Sequence, residues 1–140
     1  SGHRGKKHVR SSGSYTSAKI NAYNTLIKTL EILEEKTKKN PIQVVVDAIE
    51  AASPREGITT IEYGGVRYPR AVDISPQRRI DLALRWITQG ANDKMVKSKG
   101  KKKISETLAE QIISTMNYDQ QKSFAYSKKY DVERQAQAAR

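Results

Sequence analysis

Cysteine is absent from this 140-residue chain, and with it go disulfide frameworks, zinc knuckles, iron–sulfur ligation and thiol nucleophiles. Histidine occurs only as His3 and His8, in a polar start where no packing can hold an imidazole against a partner, so histidine catalysis is not expected. No apolar run approaches the roughly 18 residues that a membrane-spanning helix requires, and no apolar signal segment follows Ser1-Gly2-His3-Arg4-Gly5. A soluble, intracellular protein is expected. Hydrophobic residues are few, 36% of the chain, which still exceeds what a wholly disordered chain carries and allows one domain with a modest core.

Acidic residues are scarce too, 15 against 26 lysines and arginines, leaving a net charge of +11. The excess is not spread evenly. Arg4, Lys6, Lys7, Arg10 and Lys19 fall within residues 1–19, and Lys94, Lys97, Lys99, Lys101, Lys102 and Lys103 within residues 94–103, with no acid in either stretch. Together these eleven cations equal the whole excess, so the rest of the chain is neutral, as a solvated domain surface should be. Both stretches are poor in apolar residues, so burial cannot offset the cost of ordering them. A dense polyanion can, by neutralising lysines that otherwise repel one another. One lysine run is equally well explained by solubility; two that hold the entire excess favour nucleic acid.

Period and punctuation predict a mainly helical bundle of about five helices, a projecting two-stranded β-hairpin and a basic N-terminal arm at residues 1–15, with residues 16–140 forming one domain. The first helix is expected over Thr16 to Lys38, with Ile20, Tyr23, Leu26, Ile27, Leu30 and Leu33 as a stripe facing the core. Asn40-Pro41-Ile42-Gln43 reads as a restart: asparagine caps, proline suits the first helical position, and Gln43 can complete a capping box. Ile42, Val45, Val46 and Ile49 continue the apolar face to Ser53-Pro54. Residues 58–74 turn to β-branched and aromatic types around Gly64-Gly65, which suits a primed hairpin turn. Pro69 keeps its strand at an edge, and Arg67 and Arg70 stand on the hairpin. Ser75-Pro76 opens a third helix with Ile80, Ala83, Leu84 and Ile87 buried, ending at Gly90. Arg78 and Arg85 share one side with Asp81 between them, which fits an ion-pair ladder and phosphate contact equally well. Trp86 is expected in the core. Ile104, Leu108, Ile112 and Met116 mark a fourth helix. A linker with Tyr118, Phe124 and Tyr126 leads to a thin terminal helix over 127–140, expected to dock on something other than its own core.

Known chemical motifs are missing. Asp47 and Glu50 share a helix face, but no histidine or cysteine lies near to complete a metal site or an acid–base pair. Gly100-Lys101 lacks the upstream glycine and following hydroxyl of a phosphate loop. Neither a Cys-His finger nor an RNA-recognition-sheet signature is present, so recognition must come from shape, phosphates and projecting elements. A groove-reading DNA regulator would predict a dimer and duplex discrimination, and the hairpin and thin last helix count against it. An RNA hydrolase would need an acid and a base that the sequence does not assemble.

Asn40-Pro41-Ile42-Gln43-Val44, Ser53-Pro54-Arg55-Glu56, Tyr63-Gly64-Gly65-Val66, Ala71-Val72-Asp73-Ile74-Ser75-Pro76-Gln77-Arg78-Arg79 and Leu82-Ala83-Leu84-Arg85-Trp86-Ile87, in this order and supported by Lys128-Lys129-Tyr130-Asp131-Val132-Glu133-Arg134, give a resemblance over residues 16–140. The chain resembles the small-subunit ribosomal protein seven family, in its archaeal and eukaryotic branch. The resemblance implies a scaffolding protein without a reaction or cofactor. It implies binding to the 3′ major domain of small-subunit ribosomal RNA, nucleation of head assembly, and a cytoplasmic place in the small subunit. Neighbouring head and platform proteins, exit-site tRNA and mRNA are the implied partners, with no membrane. Carried onto this chain, Arg78, Arg79 and the lysines of 94–103 would contact rRNA. Gly64, Gly65 and Arg67 would form the hairpin tip at the exit site, and Lys128, Lys129 and Arg134 would border the exiting tRNA. The family's Gly-Lys-Lys cluster falls here on Ser17-Ala18-Lys19, so only Lys19 carries over. Arg4, Lys6, Lys7 and Arg10 are assigned to rRNA on charge alone. The family places a helix earlier than this chain begins, which is expected of a piece of a longer product.

Overall fold

The structure, a computed structural model, describes residues 19–140. The expected arm at 1–15, with Arg4, Lys6, Lys7 and Arg10, lies outside the described residues. Five helices and one hairpin follow in the order α1 (Lys19–Thr37), α2 (Pro41–Ala52), β1 (Glu56–Tyr63), β2 (Val66–Asp73), α3 (Pro76–Lys97), α4 (Ile104–Met116) and α5 (Phe124–Ala138). The mainly helical architecture with a projecting hairpin is the one read from the sequence.

The caps explain the boundaries. Asn40 Oδ1 accepts the Ile42 amide at 3.1 Å with Pro41 in the first turn of α2. Gln43 does not close a capping box; its Nε2 donates to Asp47 Oδ1 at 2.9 Å, an i,i+4 bond along the helix. Ser75 Oγ accepts from the Arg78 amide and starts α3. Ser123 does the same for the Tyr126 amide, so α5 begins at Phe124 and takes in Phe124 and Tyr126, rather than leaving them in the expected linker. The hairpin is longer at its base than expected, with Glu56 opposite Asp73 and Tyr63 opposite Val66. Gly64 and Gly65 both have positive φ, 57° and 81°, as the primed turn demands. Nearly every residue of β2 is exposed, so the hairpin does project. Pro69 sits opposite Thr60 in a sheet of two strands, both of them edges.

α4 lies at the centre and packs against the other four helices. The core gathers Leu33, Val44, Ala48, Ala52, Ala83, Trp86, Ile87, Ala109, Ile112 and Ala125. Half of them are alanines, which lets the helices approach closely. Several expected core positions are instead exposed. Ile20, Tyr23, Leu26 and Ile27 on α1 face solvent, and burial begins only at Thr29. The reason is length: α1 is about 28 Å long and α4 about 20 Å at the usual helical rise, so the first turns of α1 overhang the core. On α2 the buried face runs through Val44, Ala48, Ala51 and Ala52, leaving Ile42 and Val46 outside. On α3, Ile80 and Leu84 are exposed while Trp86, Gly90 and Ala91 join Ala83 and Ile87 inside.

α3 does not stop at Gly90; it continues to Lys97. A glycine is present there because the chain passes too close for a side chain. A Cβ would stand 2.7 Å from Gln111 Oε1 and 2.7 Å from Phe124 Cβ. Gln111 is fully buried in α4 yet satisfied, donating to the Lys122 carbonyl at 3.0 Å and accepting the Phe124 amide at 3.1 Å. Thr115 and Ser123 share a hydrogen bond at 2.6 Å beside it. These buried polar groups pin the α4–α5 connection, since a buried donor left without its acceptor costs about 1–3 kcal/mol.

The terminal helix is tied to its own domain, contrary to the expectation that it docks elsewhere. Ala125 and Ala136 are buried, Val132 packs on the core, and Lys129 Nζ donates to the Ala51 carbonyl at 3.1 Å. Glu133 accepts the Arg55 amide at 3.2 Å, and Arg140 pairs with Glu56 at the hairpin base. Alanines that looked too small to anchor a helix suit a close approach of backbones.

Candidate nucleic-acid interface

The cations singled out from the sequence fall into separate patches. Six lysines gather at the far end of α3: Lys94 and Lys97 lie in its last turn, where they complement the negative end of the helix dipole. Lys99, Lys101, Lys102 and Lys103 are exposed in the loop to α4, whose backbone reverses through positive φ at Lys99 and Gly100. Two of them have carboxylate neighbours, Lys97 with Asp93 at 3.0 Å and Lys102 with Glu110 at 3.2 Å. Exposed pairs of this kind are worth at most about 1 kcal/mol and yield readily to a polyanion.

At the opposite end of α3 stand Arg78, exposed, and Arg79, half-buried, with its Nε donating to the Pro54 carbonyl at 3.1 Å. The ion-pair ladder considered for Arg78, Asp81 and Arg85 does not form, since none of the three is ion-paired with another. Arg78 and Lys97 are separated by about 28 Å along the helix, so a single small anion cannot reach both ends. Lys19 begins α1 and is exposed.

Gly64 and Gly65 form the hairpin tip, and Arg67 lies beside them, opposite Glu62. Tyr63 and Tyr68 share a face of the hairpin with ring centroids 6.3 Å apart, both well exposed. On α5, Lys128 lies over the Phe124 ring at 5.4 Å and Lys129 over Tyr126 at 5.9 Å, while Arg134 is 3.8 Å from Asp131. Lys129 and Arg79 therefore also have structural work, holding the Ala51 carbonyl in the last turn of α2 and the Pro54 carbonyl just beyond it.

Those two cations border a cavity of about 390 Å³ that sequence reasoning missed. Arg55, Asp47, Glu50 and Tyr118 also line it. The Ser53-Pro54-Arg55 motif was visible in the sequence, but nothing local brings it beside Tyr118, which is more than sixty residues away. Among the described residues no cluster of three or more histidine, aspartate or glutamate side chains could hold a metal ion. No helix of the described residues is long and apolar enough to cross a membrane.

The described chain is thus a helical body with exposed cations at both ends of its longest helix and a projecting hairpin. Comparison with known proteins gives the family. Residues 10–140 match the family described as Ribosomal protein S7p/S5e. The small ribosomal subunit protein uS7 of Nanoarchaeum equitans is 52% identical over 142 residues, covering 100% of this chain and 69% of that protein. Those of Archaeoglobus fulgidus and Picrophilus torridus are 49% and 48% identical, covering 94% and 90% of this chain and 66% of each relative. The chain thus spans about two thirds of the length of these relatives. It belongs to the ribosomal protein S7p/S5e family, the family read from the five ordered motifs, whose members are structural constituents of the ribosome and not enzymes.

Proposed function

We propose that the chain is a structural constituent of the small ribosomal subunit that binds the 3′ major domain of its RNA and nucleates assembly of the head. Lys94, Lys97, Lys99 and Lys101–Lys103 engage one region of ribosomal RNA; Arg78, Arg79, Lys19 and the cations of residues 1–15 engage others. The hairpin tip at Gly64, Gly65 and Arg67, with Lys128, Lys129 and Arg134 on α5, lines the path by which tRNA and mRNA leave. Its setting is the cytoplasmic ribosome, among proteins of the head and platform. The observation that carries this reading is the separation of charge: six lysines at one end of α3 and arginines about 28 Å away suit a folded RNA that spans both. The relatives' names support the assignment to the small subunit.

The test is the salt dependence of binding to a 3′-major-domain transcript. Each phosphate contact adds close to one unit to the slope of log affinity against log salt. Replacing Lys99, Lys101, Lys102 and Lys103 with glutamine is expected to flatten the slope by about three to four units. An unchanged slope would remove that loop from the interface. Equal affinity for duplex DNA at the same salt would remove the RNA assignment altogether.

A further inference from the structure

The cavity at the end of α2 has a lining of mixed chemistry. Its volume, about 390 Å³, lies at the lower end of the range typical of small-ligand sites, about 300–1,000 Å³. Arg55, Arg79 and Lys129 supply cations, but Asp47 and Glu50 share the lining, and the negative end of the α2 dipole points the same way. A bare anion is poorly served by that mixture, and a purely apolar ligand worse. Met116 and Tyr118 add an apolar and aromatic wall. Tyr118 is 64% exposed and meets Tyr126 edge-on, with centroids 5.8 Å apart at 78°. Its backbone stands at φ 57°, fixed by the Tyr118 amide on the Thr115 carbonyl and the Asp119 amide on the Ser114 carbonyl.

The two carboxylates differ. Asp47 already accepts from Gln43, whereas the carboxylate of Glu50, an exposed residue, has no hydrogen-bond or ion-pair partner among the described residues. Its two oxygens, hydrated at the rim of the cavity, are open to donors from a ligand. A ligand that offers a flat aromatic face, donors on one edge and a negative charge beyond is a nucleotide.

We propose that this cavity takes a single unstacked nucleotide of an RNA strand, with its base on Tyr118, its base edge donating to Glu50 and its phosphate against Arg55 and Lys129. Guanine is the base selected, because it alone presents two adjacent donors, N1–H and the N2 amino group, to the two oxygens of one carboxylate. Adenine and cytosine set an acceptor beside their amino group, and uracil flanks its single donor with two carbonyls. The inference rests on the RNA-binding function proposed above and adds a base-specific site that the lysine loop and hairpin do not supply.

The experiment titrates the intact chain with two single-stranded RNA pentamers, UUGUU and UUUUU, at about 50 mM salt, where phosphate contacts are little screened. Amide chemical shifts report the place of binding. UUGUU is expected to bind at least about fivefold tighter, the low end of what one two-bond base contact discriminates, with shifts at residues 50–55 and 116–119. Glu50→Gln is expected to bring the ratio of the two affinities to about one. Tyr118→Asn, chosen because asparagine tolerates positive φ, is expected to weaken UUGUU several-fold with no loss of the melting transition. Equal affinities in the wild-type chain, a preference that survives Glu50→Gln, or shifts confined to residues 98–103 and the hairpin would each overturn the site while leaving RNA binding intact. Displacement of the cavity shifts by an acidic peptide but not by UUGUU would make it a protein contact instead. Failure to bind either pentamer or the larger transcript would overturn the RNA reading itself.

Discussion

Gly90 offers the sharpest test of how this core is assembled. In an unconstrained helix interior, glycine to alanine stabilises by about 1 kcal/mol, because alanine loses less backbone entropy on folding. Here the added methyl would meet Gln111 Oε1 and Phe124 Cβ at 2.7 Å each, with Phe124 Cγ at 3.3 Å. Phe124 Cβ is close to the backbone at the first residue of α5 and cannot swing aside. Overpacking of this kind costs about 1–3 kcal/mol. Gln111 must also move, and it holds two buried bonds, to the Lys122 carbonyl and the Phe124 amide, whose loss costs a further 1–3 kcal/mol or so. Against the gain in propensity, Gly90→Ala is expected to destabilise by about 3 kcal/mol, summed from these terms. Urea denaturation followed by circular dichroism reads this as a fall in midpoint of about 1–3 M at an ordinary slope. Adding Gln111→Ala should give a double variant less destabilised than the sum of the two single changes, since the clash is shared. If Gly90→Ala stabilises by the helix-propensity amount, the close packing of α3 on α4 and α5 is wrong.

Leu33, wholly buried, is expected to cost about 2–5 kcal/mol on truncation to alanine, while Ile20→Ser on the same helix should change the denaturation midpoint hardly at all. Ser123→Ala removes the α5 cap and the partner of Thr115 together and is expected to cost about 1–2 kcal/mol in the same assay. A loss confined to a few tenths would show that α5 is not capped there. Replacing Gly64-Gly65 with Val-Val should broaden or shift the hairpin amides in an NMR spectrum without changing helix content; collapse of the helical signal would mean that the hairpin is part of the core.

The elements legible in the sequence are those fixed by local chemistry. Asn40-Pro41 and Ser75-Pro76 mark helix starts because capping and proline's φ act within a few residues. Gly64-Gly65 marks the turn because few other pairs accept two positive φ angles. The unequal placement of charge, too, needed only counting. Gly90 misled for the same reason: glycine at the end of an apolar stripe is a local stop signal, and nothing local says that Gln111 and Phe124 will press against it.

Which apolar residues are buried was decided by the tertiary structure alone. Periodicity identifies a helix face, but the length of the neighbouring helix sets how much of that face is covered, and α1 outruns α4. Hence Ile20 and Tyr23 face solvent while Thr29 and Gln111 do not. The cavity at the end of α2 is of the same kind, since it draws on residues from α2, the start of α3, the α4–α5 connection and α5. By itself the sequence determined the list of elements, their starts and the family. Only packing determined which side chains meet, because contact between distant segments depends on helix length and close approach, and neither is written at any one position.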